Sequence, residues 1–142
     1  MSKQELDNLV KIGKLKVEPG TRAEFEGLVD SARKRLADAR NETLSSGSRF
    51  DLAYNAAHAF ALAALRRHGY RSENRYLVFQ ALAHTLGLDA AIWRVLAKCH
   101  DRRNLAEYEG TYEVDEQLLT DLIDCTTRLE VAVAALGPPP EP

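Results

Sequence analysis

The segment "RFDLAYNAAHAFALAALRRHG", residues 49–69, sets the architecture of the chain. Alanine stands at 53, 56, 57, 59, 61, 63 and 64, so small side chains reach nearly every helical face. Ala is the strongest helix former and adds almost no bulk. A helix with small residues all round lets its neighbours approach closely, which predicts the central helix of a bundle over Arg49–His68. Ser48 is the expected N-cap, and Gly69 the residue just past the C-terminal end.

The flanking sequence reads as further helices and as no strand. Ser2 with Glu5 fits a capping box, and Leu6, Leu9 and Val10 follow on one face until Gly13. Thr21 with Glu24 fits a second box. Phe25, Leu28, Val29, Ala32 and Leu36 then recur at helical spacing. "NETLSSGS", 41–48, reads as a loop. Beyond the central helix, Leu77, Val78, Ala81, Leu82 and Leu86 predict a fourth helix that Gly87 ends. Asp89 caps a fifth, with Ile92, Val95, Leu96 and Cys99 on one face and Gly110 at its end. A sixth starts near Asp115 and buries Leu118, Leu119, Leu122, Ile123, Leu129 and Leu136. Short loops make neighbouring helices antiparallel. The expected class is all-α, an up-and-down antiparallel bundle of five to six helices. Residues 1–136 form its single domain, and "GPPPEP", 137–142, is a flexible Pro-rich tail that cannot continue a helix.

The chain has 142 residues, 45% of them hydrophobic, enough for one cored domain. Charges interrupt every long segment, so no membrane span is expected. The start, "MSKQELDNLV", has no apolar signal core. Cys99 and Cys125 read as buried small hydrophobes in a reduced, cytoplasmic protein. The net charge of −2 argues against a generally basic nucleic-acid binder. Its distribution is uneven. Residues 49–103 carry eight Arg and one Lys against four acids; residues 104–142 carry one Arg against nine. Such a division makes either a polarised surface or charges that neutralise one another across packed helices.

No metal or cofactor is called for. His58, His68, His84 and His100 share no familiar ligand spacing. Cys99 and His100 are adjacent and point about 100° apart on a helix. No Ser or Cys has an activating context. Two polar groups stand out instead. Tyr54, Asn55 and His58 lie on the Ala-rich helix, Tyr54 and His58 at i, i+4. They either hydrogen-bond inside the bundle or line a cleft. In "CHDRRNLAEYEG", 99–110, Arg103 and Glu107 are also i, i+4 and suit a local ion pair. Arg102 and Arg103 equally suit a phosphate, for which guanidinium offers planar bidentate donors. Asn104 can orient an Arg or a sugar hydroxyl, and Tyr108 can stack on a base or fill a core gap.

"RFDLAYNAAHAFALAALRRHGYR", "RYLVFQALAHTLGL" and "RRNLAEYEG" together resemble the HEPN domain family in order and spacing, over most of residues 4–135. The most specific pieces are "AYNAAHAFALAALRRHGYR" and the Arg-Asn-x-Ala-Glu-Tyr that ends at Tyr108. The resemblance implies a bundle of four to five helices that often pairs into a symmetric homodimer, with polar residues meeting in a cleft at the junction. Many relatives are metal-independent RNases of toxin–antitoxin or defence systems, and many are encoded beside a minimal nucleotidyltransferase. Catalytic relatives carry Arg, then four to six residues, then His, with a polar residue usually following the Arg. Arg103–Asn104 matches the first half, but Glu107 and Tyr108 stand where the His is expected. Arg94 and His100 satisfy the spacing as a string; Val95 follows that Arg and the pair lies upstream of the expected turn, so it reads as coincidence.

The missing His matters. Metal-free RNA cleavage needs a base for the ribose 2′-hydroxyl and an acid for the leaving oxygen, work that imidazole suits. Glu107 would need a raised pKa, and a neighbouring Arg pushes the other way. The expectation is therefore a HEPN-like protein that binds a nucleotide, RNA or a partner protein without efficient catalysis. Its ligand-binding residues would be Arg102, Arg103, Asn104 and Tyr108, facing Tyr54 and Asn55. A nucleotidyltransferase-like or antitoxin partner is implied by the resemblance alone. Two other readings stay open. One is an active endoribonuclease with Arg103 as electrophile and His58, His100 or Glu107 as acid or base. The other is a structural subunit in which Arg103–Glu107 is a salt bridge and Tyr108 is core.

Overall fold

The structure, a computed structural model, describes residues 2–110 and 114–140; the side chains of Ser2 and of 107–109 lie outside that description. The chain is mainly helical. In order, the elements are α1 (Ser2–Lys11), β1 (Lys16–Val17), α2 (Arg22–Ala39), α3 (Ser46–Arg67), β2 (Tyr70–Arg71), α4 (Arg75–Gln80), α5 (Leu82–Thr85), α6 (Ala90–Glu109) and α7 (Glu116–Leu136).

Helix α3 is the centre. Phe50, Ala53, Ala56, Ala57, Ala59, Phe60, Ala61, Ala63, Ala64 and Leu65 are all buried, on every side of the helix. It packs against α2, α4, α5, α7 and β2. Small side chains all round permit this many neighbours, because each can approach the α3 backbone. The start differs from expectation. Ser45 is the N-cap, its hydroxyl accepting from the Ser48 amide at 3.2 Å, so three more residues join the helix. Gly69 follows at φ +87°, a conformation that favours a residue without Cβ. Helix α2 offers α3 the stripe Phe25, Val29, Ala32, Leu36 and Ala39; α7 offers Leu118, Leu119, Leu122, Leu129 and Val133. Among the described residues, no helix is long and apolar enough to cross a membrane.

Two expectations are corrected. The fourth helix is two, α4 and α5, separated at Ala81; neither Gly nor Pro marks the junction, so the sequence carried no sign of it. The chain also has strands. β1 and β2 pair antiparallel, Lys16 opposite Arg71 and Val17 opposite Tyr70. Two residues are too few to show the alternation by which a strand is read.

Beside this pair, buried Arg66 clamps the α1–α2 connector to the end of α3. Its Nε donates to Glu24 at 3.0 Å and its Nη1 to the carbonyls of Glu18 (2.7 Å) and Tyr70 (3.2 Å). Nη2 donates to the Pro19 carbonyl and faces the Glu18 carboxylate at 3.0 Å. The clamp takes half of the expected second capping box. Thr21 Oγ1 does accept from the Glu24 amide, but the Glu24 carboxylate turns to Arg66. Gly20 lies so close that a Cβ there would sit 2.6 Å from the Arg66 carbonyl oxygen. At the far end of the chain, Arg67 Nε donates to the Gly137 carbonyl, and Pro139 is buried.

Candidate functional site

The polar residues of α3 and α6 meet where α4 joins them. Tyr54, wholly buried, sits on α3 between two turns of small residues. Its hydroxyl lies 2.8 Å from His100 Nδ1 on α6. One turn on, Asn104 Nδ2 lies 3.2 Å from His100 Nε2. His100, Arg103 and Asn104 are i, i+3, i+4 and share one face of α6.

A neutral imidazole has one donor and one acceptor nitrogen. Both ring nitrogens of His100 are engaged, Nδ1 by the Tyr54 hydroxyl and Nε2 by the Asn104 amide, so the ring is held between the two helices.

Two guanidinium groups bracket Tyr54. The Arg103 Cζ lies 5.0 Å and the Arg75 Cζ 5.6 Å from the ring centroid, within cation–π range. Arg75 is the first residue of α4. Its Nη1 donates to Asn55 Oδ1 at 2.9 Å, while Asn55 Nδ2 donates to the Asp51 carbonyl. Asn55 is therefore a strut that holds Arg75 over the cluster. Among the described residues, no carboxylate pairs with Arg75.

Two cationic side chains, Arg75 and Arg103, act on the titratable groups of the cluster. His58, one turn along α3 from Tyr54, packs edge-on against Phe79 at 6.0 Å. Burial pushes its pKa down to about 4, and the charges of Arg75 and Arg103 add to that. It is neutral at pH 7 and is not available there as an imidazolium acid. Burial raises the Tyr54 phenol above its ordinary value, against the pull of Arg75 and Arg103. Cys99 and Cys125 are buried with their thiols pushed up to about 12 and about 11, so neither is a nucleophile.

Of the residues singled out in the sequence, Tyr54, Asn55, His58, Arg103 and Asn104 come together. Arg102 is half-buried and lies about 100° around α6 from Arg103, off this face. The Glu107 and Tyr108 side chains fall outside the described residues. The sequence names His100 only as one of three acid–base candidates and treats its string with Arg94 as coincidence, although its i, i+4 spacing to Asn104 is legible. Arg75 was not anticipated: it comes from a separate helix, and no spacing rule links it to α3 or α6. Among the described residues, no group of three or more His, Cys, Asp and Glu could hold a metal ion. The chain matches no known protein family, no curated protein and no solved structure.

Proposed function

We propose that this is a HEPN-like helical domain that binds RNA through the cluster on α3, α4 and α6, with a backbone phosphate seated on Arg75 and Arg103. The observation that carries the reading is the pairing of Arg75 with Asn55 and the Tyr54 ring rather than with a carboxylate. A half-buried cation held by neutral partners keeps its charge for an anion from outside. Burial is the main cause of the lowered His58 pKa, and the charges of Arg75 and Arg103 add to it. Asn104, exposed at the rim, suits a ribose hydroxyl. The order and spacing of the resembling segments support the same assignment, and on it the chain works as a homodimer with a toxin–antitoxin or nucleotidyltransferase-like partner.

Titration of a labelled single-stranded RNA at several salt concentrations tests this. Arg103→Ala is expected to weaken binding about tenfold and to lower the salt dependence by about one phosphate. Unchanged affinity and slope would rule the site out.

His100 favours a second reading, a metal-independent endoribonuclease. The imidazole missing after Arg103 is supplied from one turn before it, on the same face. His100 would act on a ribose 2′-hydroxyl or a leaving oxygen, with Arg103 stabilising the phosphorane charge. Cleavage of RNA in excess chelator, lost in His100→Ala with binding retained, would establish it. No cleavage by the unaltered protein leaves binding as its role.

A further inference from the structure

We infer that Tyr76, steadied by Trp93 and His100, is a stacking platform for an unpaired nucleobase beside the phosphate site; this rests on the RNA-binding reading above. Phe25, Phe50, Tyr54, Phe60, Tyr70 and Phe79 are each at most 5% exposed. Tyr76 is 41% exposed, at the first turn of α4 and directly after Arg75. Its ring is nonetheless held. Trp93 of α6 meets it edge-to-face at 4.9 Å and 79°, and His100 meets it at 5.6 Å and 62°. Among the described residues, its hydroxyl makes no hydrogen bond that would account for its position.

An exposed aromatic ring fixed by two others, next to a guanidinium, is what a flat π-ligand attached to a phosphate needs. The aromatic face supplies stacking, which tolerates any base, while Arg75 holds the adjoining phosphate. Inside a duplex both faces of a base are covered by its stacked neighbours, so the ligand is a single strand or a mononucleotide end, whose bases are unstacked. His100 joins the two halves, because it touches Tyr76 on one side and the Tyr54–Asn104 chain on the other.

Trp93 is the sole tryptophan and reports on its neighbour directly. The full-length protein is titrated with a single-stranded RNA of about ten nucleotides, an abasic ribose-phosphate oligomer of equal length, and inorganic polyphosphate. Affinity and Trp93 emission are both read. The RNA is expected to bind roughly tenfold tighter than the abasic oligomer and to change Trp93 emission, as the abasic oligomer does not. Tyr76→Ala removes the difference and leaves abasic affinity within about twofold; Tyr76→Phe retains it. Equal affinity for RNA and abasic oligomer, or a Tyr76→Ala loss shared by both, overturns the inference. In that case an Arg103→Ala loss on all three probes still upholds the phosphate site. Failure of every probe to bind removes both. A platform that instead serves a protein partner would show as Tyr76-dependent self-association with no RNA preference, which also overturns it.

Discussion

Two regions of this molecule are built around arginine, and they treat the charge in opposite ways. At the end of α3, Arg66 is 4% exposed and every arm is occupied by a carboxylate or a backbone carbonyl. About three turns earlier on the same helix, Asn55 hands α4 a single amide oxygen, and Arg75 hangs over the Tyr54 ring while donating to that oxygen. The first charge is spent inside the fold. The second is held in place by groups that do not neutralise it. Burial and number of contacts would rank Arg66 above Arg75 as an important residue. On the RNA-binding reading proposed above, the nature of the partners reverses that ranking: anionic partners make Arg66 a clamp, and neutral partners leave Arg75 able to seat an anion.

The largest effect belongs to the clamp. Arg66→Ala leaves two carboxylates and three carbonyls short of a donor, and is expected to cost about 3–5 kcal/mol in urea unfolding. Arg66→Met restores the packing without the hydrogen bonds and should recover only part of this. If either variant stays folded at low temperature, its RNA affinity should match that of the unaltered protein. A selective loss of binding would erase the division between the two regions.

Next in size is the acid response of His58, which senses the second region from inside. A histidine in an unfolded chain titrates near 6.5, whereas the folded chain holds His58 at about 4. Between those values the unfolded chain takes up a proton that the folded chain refuses. Stability is therefore full above about pH 6.5, falls as pH drops, and stops falling for this reason below about 4. Unfolding at pH 7 and pH 5 should show a loss of about 2 kcal/mol from this residue. His58→Gln, compared at the same two values, should lose less by about that amount. An equal loss in both proteins would mean that neither burial nor the two arginines hold the ring neutral.

Smaller again is the binding effect of the second region. Arg75→Ala is expected to weaken single-stranded RNA about tenfold while changing stability by less than about 1 kcal/mol. The sign that separates it from the clamp is this split: affinity moves and the unfolding midpoint barely does. Asn55→Ala, which removes the strut and not the charge, should cost about threefold in affinity and be most visible at low salt.

How much of this could be read in advance follows from where the signals live. The central position of α3 was legible because alanine on every face is a local property of one segment. Tyr54, Asn55 and His58 were legible as polar intrusions in that alanine, and Arg103 with Asn104 as part of the string that carries the family resemblance. His100 was visible too, but a motif defined by order along the chain counts forward from the arginine. The helix places a residue three before it on the same face as one four after. Arg75 and Tyr76 depended on the packing of α4 against α6, which no periodicity encodes. The Arg66 clamp was hidden for a related reason. "RRHG" reads as basic residues at a helix end, ordinarily solvated, and only the return of Glu18–Glu24 to that end buries one of the pair.

Arg71 gives the smallest effect and the closest control. It faces the same two carboxylates as Arg66, 3.0 Å from Glu18 and 3.9 Å from Glu24, but its side chain is 43% exposed. Water screens it, and ordering a long exposed side chain offsets much of the attraction. Arg71→Ala should therefore cost only about 0.5 kcal/mol, and that cost should shrink further in high salt. Arg66→Ala should keep most of its cost in the same salt, since its hydrogen bonds to the Glu18 and Tyr70 carbonyls are part-buried and buried and carry little salt dependence. Comparable losses from the two substitutions would show that the carboxylates respond to charge alone. The distinction between a clamp and a seat would then have to rest on burial rather than on which atoms the guanidinium meets.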